Sequence, residues 1–131
     1  MKKVLILFLL ALVSCDMQSE TELQIGVWGS EGAGLTIQED SWYIELGCAH
    51  VTVQGTVILI DGQFEKSADY FQESGVFLDD PDFYKAQPGR VSGLLKENGD
   101  LEISIQARES LDDIGTYTFR FNREAKVYKC A

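Results

Sequence analysis

In several stretches of the chain apolar and polar residues alternate with a period of two, the spacing that puts neighbouring side chains on opposite faces of a strand. In Leu101–Gln106, Leu101, Ile103 and Ile105 share one face while Glu102, Ser104 and Gln106 share the other. Thr116–Phe121 repeats the pattern, with Tyr117, Phe119 and Phe121 set against Thr116, Thr118 and Arg120. Trp42, Ile44 and Leu46 stand likewise against Tyr43 and Glu45. Each stretch reads as a half-buried strand. Val51–Ile60 differs: Val57-Ile58-Leu59-Ile60 is apolar on both parities, so this stretch is either covered on both sides or lies at an edge of the wall under a loop.

Between these segments, Gly32-Ala33-Gly34, Asp61-Gly62, Asn98-Gly99 and Asp113-Ile114-Gly115 supply residues that accept positive φ and mark hairpin junctions. Ser67–Gln72 is expected to form at most a short helical turn. Leu78–Gly89 holds both prolines of the chain and reads as one long irregular loop, a place for function or variability. Turn signals recur about every eight to twelve residues, which favours an all-β domain of about eight to ten short strands. An antiparallel sheet of that number removes its edges by closing. The expectation is a small antiparallel up-and-down β-barrel.

The first fifteen residues follow other rules. Lys2 and Lys3 precede an apolar run from Val4 to Val13, then Ser14 and Cys15. Ten helical residues cover about half of a hydrocarbon core of about 30 Å, too little to span it. A basic start, a short apolar centre and a small residue before the cut mark a secretory signal. Leu12-Val13-Ser14-Cys15 resembles the lipobox of bacterial lipoprotein precursors. That resemblance implies cleavage before Cys15, a thioether-linked diacylglycerol on its sulfur and usually an amide-linked acyl chain, enough lipid for lasting attachment. The chain then divides into a signal peptide (1–14), a lipid-anchored polar tether (15–24) and a β-barrel domain (25–131). The implied location is the cell envelope, with the domain outside the cytoplasm, in the periplasm or at the cell surface. Asp16 resembles the inner-membrane retention signal of enteric bacteria, but other groups read different signals and either membrane stays open. A transmembrane barrel is the competing reading, and several strands are shorter than the span of about nine to eleven residues it needs.

Charge narrows the partners. The 131 residues carry 11 lysines and arginines against 21 aspartates and glutamates, a formal charge of −10, and loss of Lys2 and Lys3 with the signal deepens it. Such a surface repels nucleic acid, aids solubility and favours a cationic partner. With Cys15 assigned to lipid, Cys48 and Cys130 remain as one possible pair, normally a disulfide in an oxidising compartment. Closing a loop of about 83 residues contributes roughly 4.5 kcal/mol as an upper figure.

Candidate chemistry is sparse. His50 is the only histidine, so a hydrolase would have to use it, and an oxidised Cys48 offers no thiol nucleophile. Cys48 and His50 are too few for a zinc site, which leaves a structural histidine beside a disulfide. Asp79, Asp80 and Asp82 flank Pro81 without the glycine and distal glutamate of a calcium loop, and read as a solvated acidic turn. No catalytic residue, metal or cofactor is expected. Glu45 and Arg90, if both point inward, form an internal ion pair that marks a ligand site; pointing outward they are surface charges of little weight. Trp28, Trp42, Tyr117 and Phe119 either line a small cavity or fill it, since a barrel of about eight strands is just wide enough for its own side chains. Trp28, Glu45, Arg90 and Tyr117 are thus the candidate ligand-binding residues.

Gly26-Val27-Trp28-Gly29, with Leu35 and Ile37 in the next strand, resembles the G-x-W entry of lipocalin-like and avidin-like barrels, in which the tryptophan closes the barrel floor. The longer set Gly26-x-Trp28-Gly29, Glu45-x-x-Cys48-Ala49-His50, Gly62-x-Phe64, Arg90-x-Ser92-Gly93 and Lys129-Cys130 is similar to a group of short, β-rich secreted bacterial proteins and lipoproteins. That resemblance covers most of the chain, supports pairing of Cys48 with Cys130 and brings no catalytic residue with it. After Phe64 this chain is more acidic and poorer in glycine and proline than the group. The expected function is a non-enzymatic, lipid-anchored envelope module that binds an envelope protein or a small ligand. The alternatives are a lipocalin-like carrier of a small hydrophobic ligand and an inhibitor of a cationic enzyme such as lysozyme, although the short serine-containing loops of such inhibitors are missing.

Overall fold

The computed structural model describes residues 19–74, 78–107 and 112–130; the signal, the lipobox and Cys15 lie outside them. Alternation becomes strand nearly wherever it occurs. The strands are β1 (Glu20–Glu22), β2 (Gly26–Gly29), β3 (Gly34–Ile37), β4 (Ser41–Glu45), β5 (Ala49–Gln54), β6 (Ile58–Ile60), β7 (Gln63–Gln72), β8 (Gln87–Leu95), β9 (Leu101–Ala107) and β10 (Asp112–Phe121). From β2 to β10, leaving out β6, each strand lies antiparallel beside its predecessor, and β10 returns to β2. The result is a closed, eight-strand, up-and-down barrel with β1 and β6 as an added pair.

Inward positions are those the alternation assigns to the core. Leu35, Ile44, Val51, Val53, Val91, Leu101, Ile103, Ile105 and Phe119 are all essentially without solvent contact. Outward positions such as Glu65, Ser67, Asp69, Gln106, Thr116 and Thr118 are exposed. An apolar inside and a polar outside reverse the arrangement of a transmembrane barrel. The Asp61-Gly62 hairpin has both residues at positive φ (51° and 79°), the geometry of a type I′ turn, and it joins β6 to β7 through the Ile60 and Gln63 pair.

Four stretches differ from the expectation. Ser67–Gln72 is the second half of β7, because its backbone pairs with β5 along Ala49–Thr52 and with β8 along Gln87–Arg90. The long loop ends at Gln87, and Pro88 stands opposite Asp69 inside β8; it is tolerated near the strand start, where β9 reaches only as far as Gly89. Asp113-Ile114-Gly115 is a bulge within β10, where the register against β9 shifts, rather than a hairpin. Finally, the segment assigned to the tether joins the folded unit: Glu20–Glu22 pairs with β6, Leu23 is buried, and Ser19 exchanges hydrogen bonds with Asp61 at 2.8 and 3.2 Å.

The two-sided apolar run around Val57 also finds its explanation here. β5 ends at Gln54, the chain turns at Gly55 (φ 87°), and β6 lies across one end of the barrel. Val57 and Leu59 point into that end and are buried, whereas Ile58 and Ile60 point away. This end, the base, also carries Leu23 and Trp28, whose indole N–H donates to the Gln24 carbonyl at 3.0 Å. At the opposite end, the mouth, small inward residues (Ala33, Ala49, Ala107 and Gly89) make room for Tyr70 and Tyr117, which pack against the core. Burial, and then the neighbouring Tyr117, push the Tyr70 hydroxyl above the usual tyrosine range.

After β10 the chain reverses and runs back across the outside of β2 and β3 as a strap. Asn122, at φ 61°, donates to the Val27 carbonyl at 2.9 Å, and Lys126 exchanges backbone hydrogen bonds with Ser30 and Gly32 at 3.1 and 2.8 Å. The strap crosses glycines: a Cβ at Gly29 would fall on the Arg123 carbonyl, one at Gly34 would press on Ala125 at 3.1 Å, and one at Gly47 would meet the Tyr128 carbonyl. It ends in the Cys48–Cys130 disulfide, with Cα atoms 5.1 Å apart. Gly29→Ala is therefore expected to lift the strap off β2 and to cost about 1–3 kcal/mol, read as a lower urea midpoint at unchanged m-value. An unchanged midpoint would show that the strap gives way freely.

Candidate functional site

The outward parity of three neighbouring strands brings aromatic rings together on the wall near the mouth. On β4, burial of Trp42 and Ile44 turns Tyr43 and Glu45 outward; on β5, burial of Ala49 and Val51 turns His50 outward. On β7, Ala68 faces in and Phe71 stands directly opposite His50. His50 is sandwiched: its ring stacks on Phe71 at 4.7 Å and 13° and on Tyr43 at 5.3 Å and 25°. Ring contacts of this kind add about 0.5–1.5 kcal/mol beyond area burial, so the three side chains hold one another as a rigid plate.

Carboxylates frame the plate. The Glu73 backbone N–H donates to the Cys48 carbonyl at 2.9 Å, which fixes Glu73 beside β5, and its Oε2 sits 3.7 Å from His50 Nδ1. That separation is beyond hydrogen-bond reach, and both atoms lie buried with no hydrogen-bond partner among the described residues. On the other side Glu45 is ion-paired with Lys129 of the strap. Burial, followed by the fields of Glu73 and Glu45, raises the Tyr43 hydroxyl above its ordinary range, with Lys129 opposing. Glu45 holds the Lys129 ammonium above the usual lysine value. Tyr43 keeps 41% of its surface exposed, and Tyr128 on the strap keeps 73%. Flat rings beside carboxylates suit a guanidinium or ammonium group, which gains from the ring face and from the negative charge together.

The four residues singled out from sequence lie in four places. Trp28 is in the base, buried and edge-on to Phe121 at 5.2 Å. Tyr117 is at the mouth, 6.3 Å from Phe119. Glu45 and Arg90 both face outward, so they form no internal pair; Arg90 instead bonds Glu65 across β7 at 2.9 Å. Glu45 alone joins the aromatic plate. In the acidic turn, Asp80 accepts from the Asp82 N–H at 3.0 Å and Asp82 pairs with Lys85 at 2.6 Å. Among the described residues no group of three or more His, Cys, Asp or Glu side chains is placed to hold a metal ion.

Tyr43, Phe71, Glu73 and Lys129 were not legible as a site from the sequence. The signal for Tyr43 was its outward parity beside Trp42 and Ile44; Phe71 was hidden because its segment was read as a helical turn.

No protein-family model, no curated protein and no solved structure matches this chain.

Other concavities offer less chemistry. A hollow of about 480 Å³ lies on the outer wall over β7–β9, lined by Glu65, Ser92, Leu94, Glu102 and Ser104. Two more, of about 290 and 420 Å³, flank the Thr21–Gln24 segment at the base. The second of these carries Arg120, which bonds Asp100 at 3.2 Å and, by that hydrogen bond, holds the Asp100 carboxyl below its ordinary range.

Proposed function

We propose that the protein is a non-enzymatic, lipid-anchored module of the bacterial envelope that binds a basic protein through the wall bearing Tyr43, His50 and Phe71. The observation that carries this reading is the aromatic plate itself, rigid, partly exposed and framed by Glu45 and Glu73. A net charge of −10 over the chain would speed encounter with a cationic surface. The anchor enters through the likeness of Leu12–Cys15 to a lipobox. A lipid on Cys15, four residues before Ser19, fits a base at which Ser19 is tied to Asp61, with the plate near the far end. Binding on the outside is favoured over carriage of a cargo because the barrel axis is taken up by side chains such as Ile44, Ile103 and Phe119, none of which has measurable solvent contact. Inhibition of a basic enzyme such as lysozyme would be one form of the same interaction.

The test is native mass spectrometry of the acylated protein taken from its own membrane, followed by titration with lysozyme as a basic probe. The expected result is one-to-one capture of a basic protein that weakens about tenfold or more in Tyr43→Ala and Glu73→Gln, the size of one or two lost anchor contacts. Binding unaffected by either substitution would overturn the assignment of the surface. A small molecule retained inside the barrel, with no protein captured, would favour the carrier.

A further inference from the structure

The end of the barrel that carries Ser19 and β1 has an apolar facet with no partner among the described residues. Strand β6 alternates about Leu59, which is wholly buried in the base, so Ile58 and Ile60 point away from the barrel and keep 43% and 37% of their surface exposed. Their cross-strand partners on β1 are Glu22 and Glu20, which share that outward face. Ile25, three residues after Glu22 and 58% exposed, lines the same hollow as Glu22 and Val57. Two exposed isoleucines therefore sit on a two-stranded ribbon, with a third just beyond it, and the residue before β1 is tied down: Ser19 bonds Asp61 through both its N–H and its carbonyl.

We infer that this facet rests on the lipid surface, with Ile25, Ile58 and Ile60 in the headgroup layer. The inference depends on acylation of Cys15, as in the reading above, and adds the orientation of the domain. Only Asp16, Met17 and Gln18 separate Cys15 from Ser19, a reach of at most about 14 Å even when fully extended. The headgroup layer is itself about 5–8 Å thick on each side of the hydrocarbon. A lipid on Cys15 therefore holds the fixed end of β1 within or just above the headgroups, and the nearest part of the protein is the β1–β6 ribbon. Apolar side chains at that depth lose contact with water without entering the hydrocarbon core.

The charges of the facet set the lipid it suits. Glu20 and Glu22 flank the isoleucines, Asp61 lies at the end of β6, and Glu39 lines the adjoining hollow with Ile25. An anionic bilayer repels these carboxylates, so a zwitterionic surface is the better partner. The opposite end, with the strap and the aromatic plate, is then turned away from the membrane.

Hydroxyl-radical footprinting of the full acylated protein on phosphatidylcholine vesicles tests this, with intact-mass measurement of the lipid on Cys15 in the same sample. Peptides holding Ile25 and Ile58–Ile60 are expected to lose most of the oxidation they show in the unacylated Cys15→Ser protein, while Tyr128 at the far end keeps its own. Added phosphatidylglycerol is expected to restore part of the oxidation at the isoleucines. An Ile58→Ser, Ile60→Ser variant, altered only at exposed positions, should stay acylated yet leave Ile25 open to oxidation. A sample without lipid on Cys15 defeats the anchor itself. A lipidated sample whose isoleucines oxidise as fast as in the unacylated protein, or whose Tyr128 is the protected residue, overturns the orientation and leaves the anchor standing.

Discussion

Replacing both Cys48 and Cys130 with serine is expected to remove about 2–5 kcal/mol of unfolding stability, the range for a native disulfide in a small domain. The bond joins residues 82 apart in sequence, so the unfolded chain gains much freedom when it is cut. It also closes the strap. Without it, the last turn of chain is held by the Lys129 pair with Glu45 and by the backbone bonds of Lys126 with Ser30 and Gly32. An exposed ion pair contributes little. The strap end beyond Lys126 should therefore open before the barrel does. Urea denaturation of the double variant reads the loss of stability, and amide exchange at Tyr128 and Lys129 reads the opening. A change below about 1 kcal/mol would mean that strain in the folded state already cancels the entropy of the cross-link. Release of the strap also withdraws Lys129 from Glu45, so the same variant links the disulfide to the electrostatics of the aromatic plate.

The second large effect is expected at the seam where the barrel closes. Strand β10 meets β2 through only two register pairs, Arg120 with Gly29 and Phe121 with Trp28, extended by the Asn122 N–H to Val27. Phe119 lies just before that seam, faces inward and has no solvent contact. Phe119→Ala removes a ring from a filled interior and is expected to cost about 3–5 kcal/mol through lost transfer energy and the cavity left behind. Thr118→Ala, at the neighbouring outward position, should stay within about 0.5 kcal/mol. Equilibrium unfolding followed by tryptophan fluorescence separates the two, since Trp28 sits on the seam itself. Domains of this size have about 5–15 kcal/mol in all, so Phe119→Ala removes a large share of the total. Equal effects at 118 and 119 would mean that the interior at the seam is loosely packed.

Alternation, turn spacing and strand number were enough to expect an antiparallel barrel, and the pairing of β10 with β2 decided that the sheet closes. Burying Leu101, Ile103 and Ile105 while wetting Glu102, Ser104 and Gln106 admits one local structure, and the Asp61-Gly62 turn names its own geometry, because positive φ at both positions is cheap only for such residues. Where expectation and structure part, long-range pairing decided. Ser67–Gln72 has no local preference strong enough to resist two neighbouring strands, and Glu20–Glu22 is too polar to announce a strand until β6 supplies its partner. The segment around Val57 reads as apolar on both parities because β6 turns one parity into the base and the other away from the molecule.

The sequence by itself determined the all-β class, the inward face of most strands and the presence of a cysteine pair, since these follow from periodicity and covalent chemistry within short windows. Only the tertiary structure decided which outward residues meet. The plate of Tyr43, His50 and Phe71 depends on the register of β4 against β5 and of β5 against β7, and the strap depends on Gly29, Gly34 and Gly47 lying along one path. Register and close approach join residues far apart in the chain, and a pattern of polar and apolar letters carries no measure of that distance.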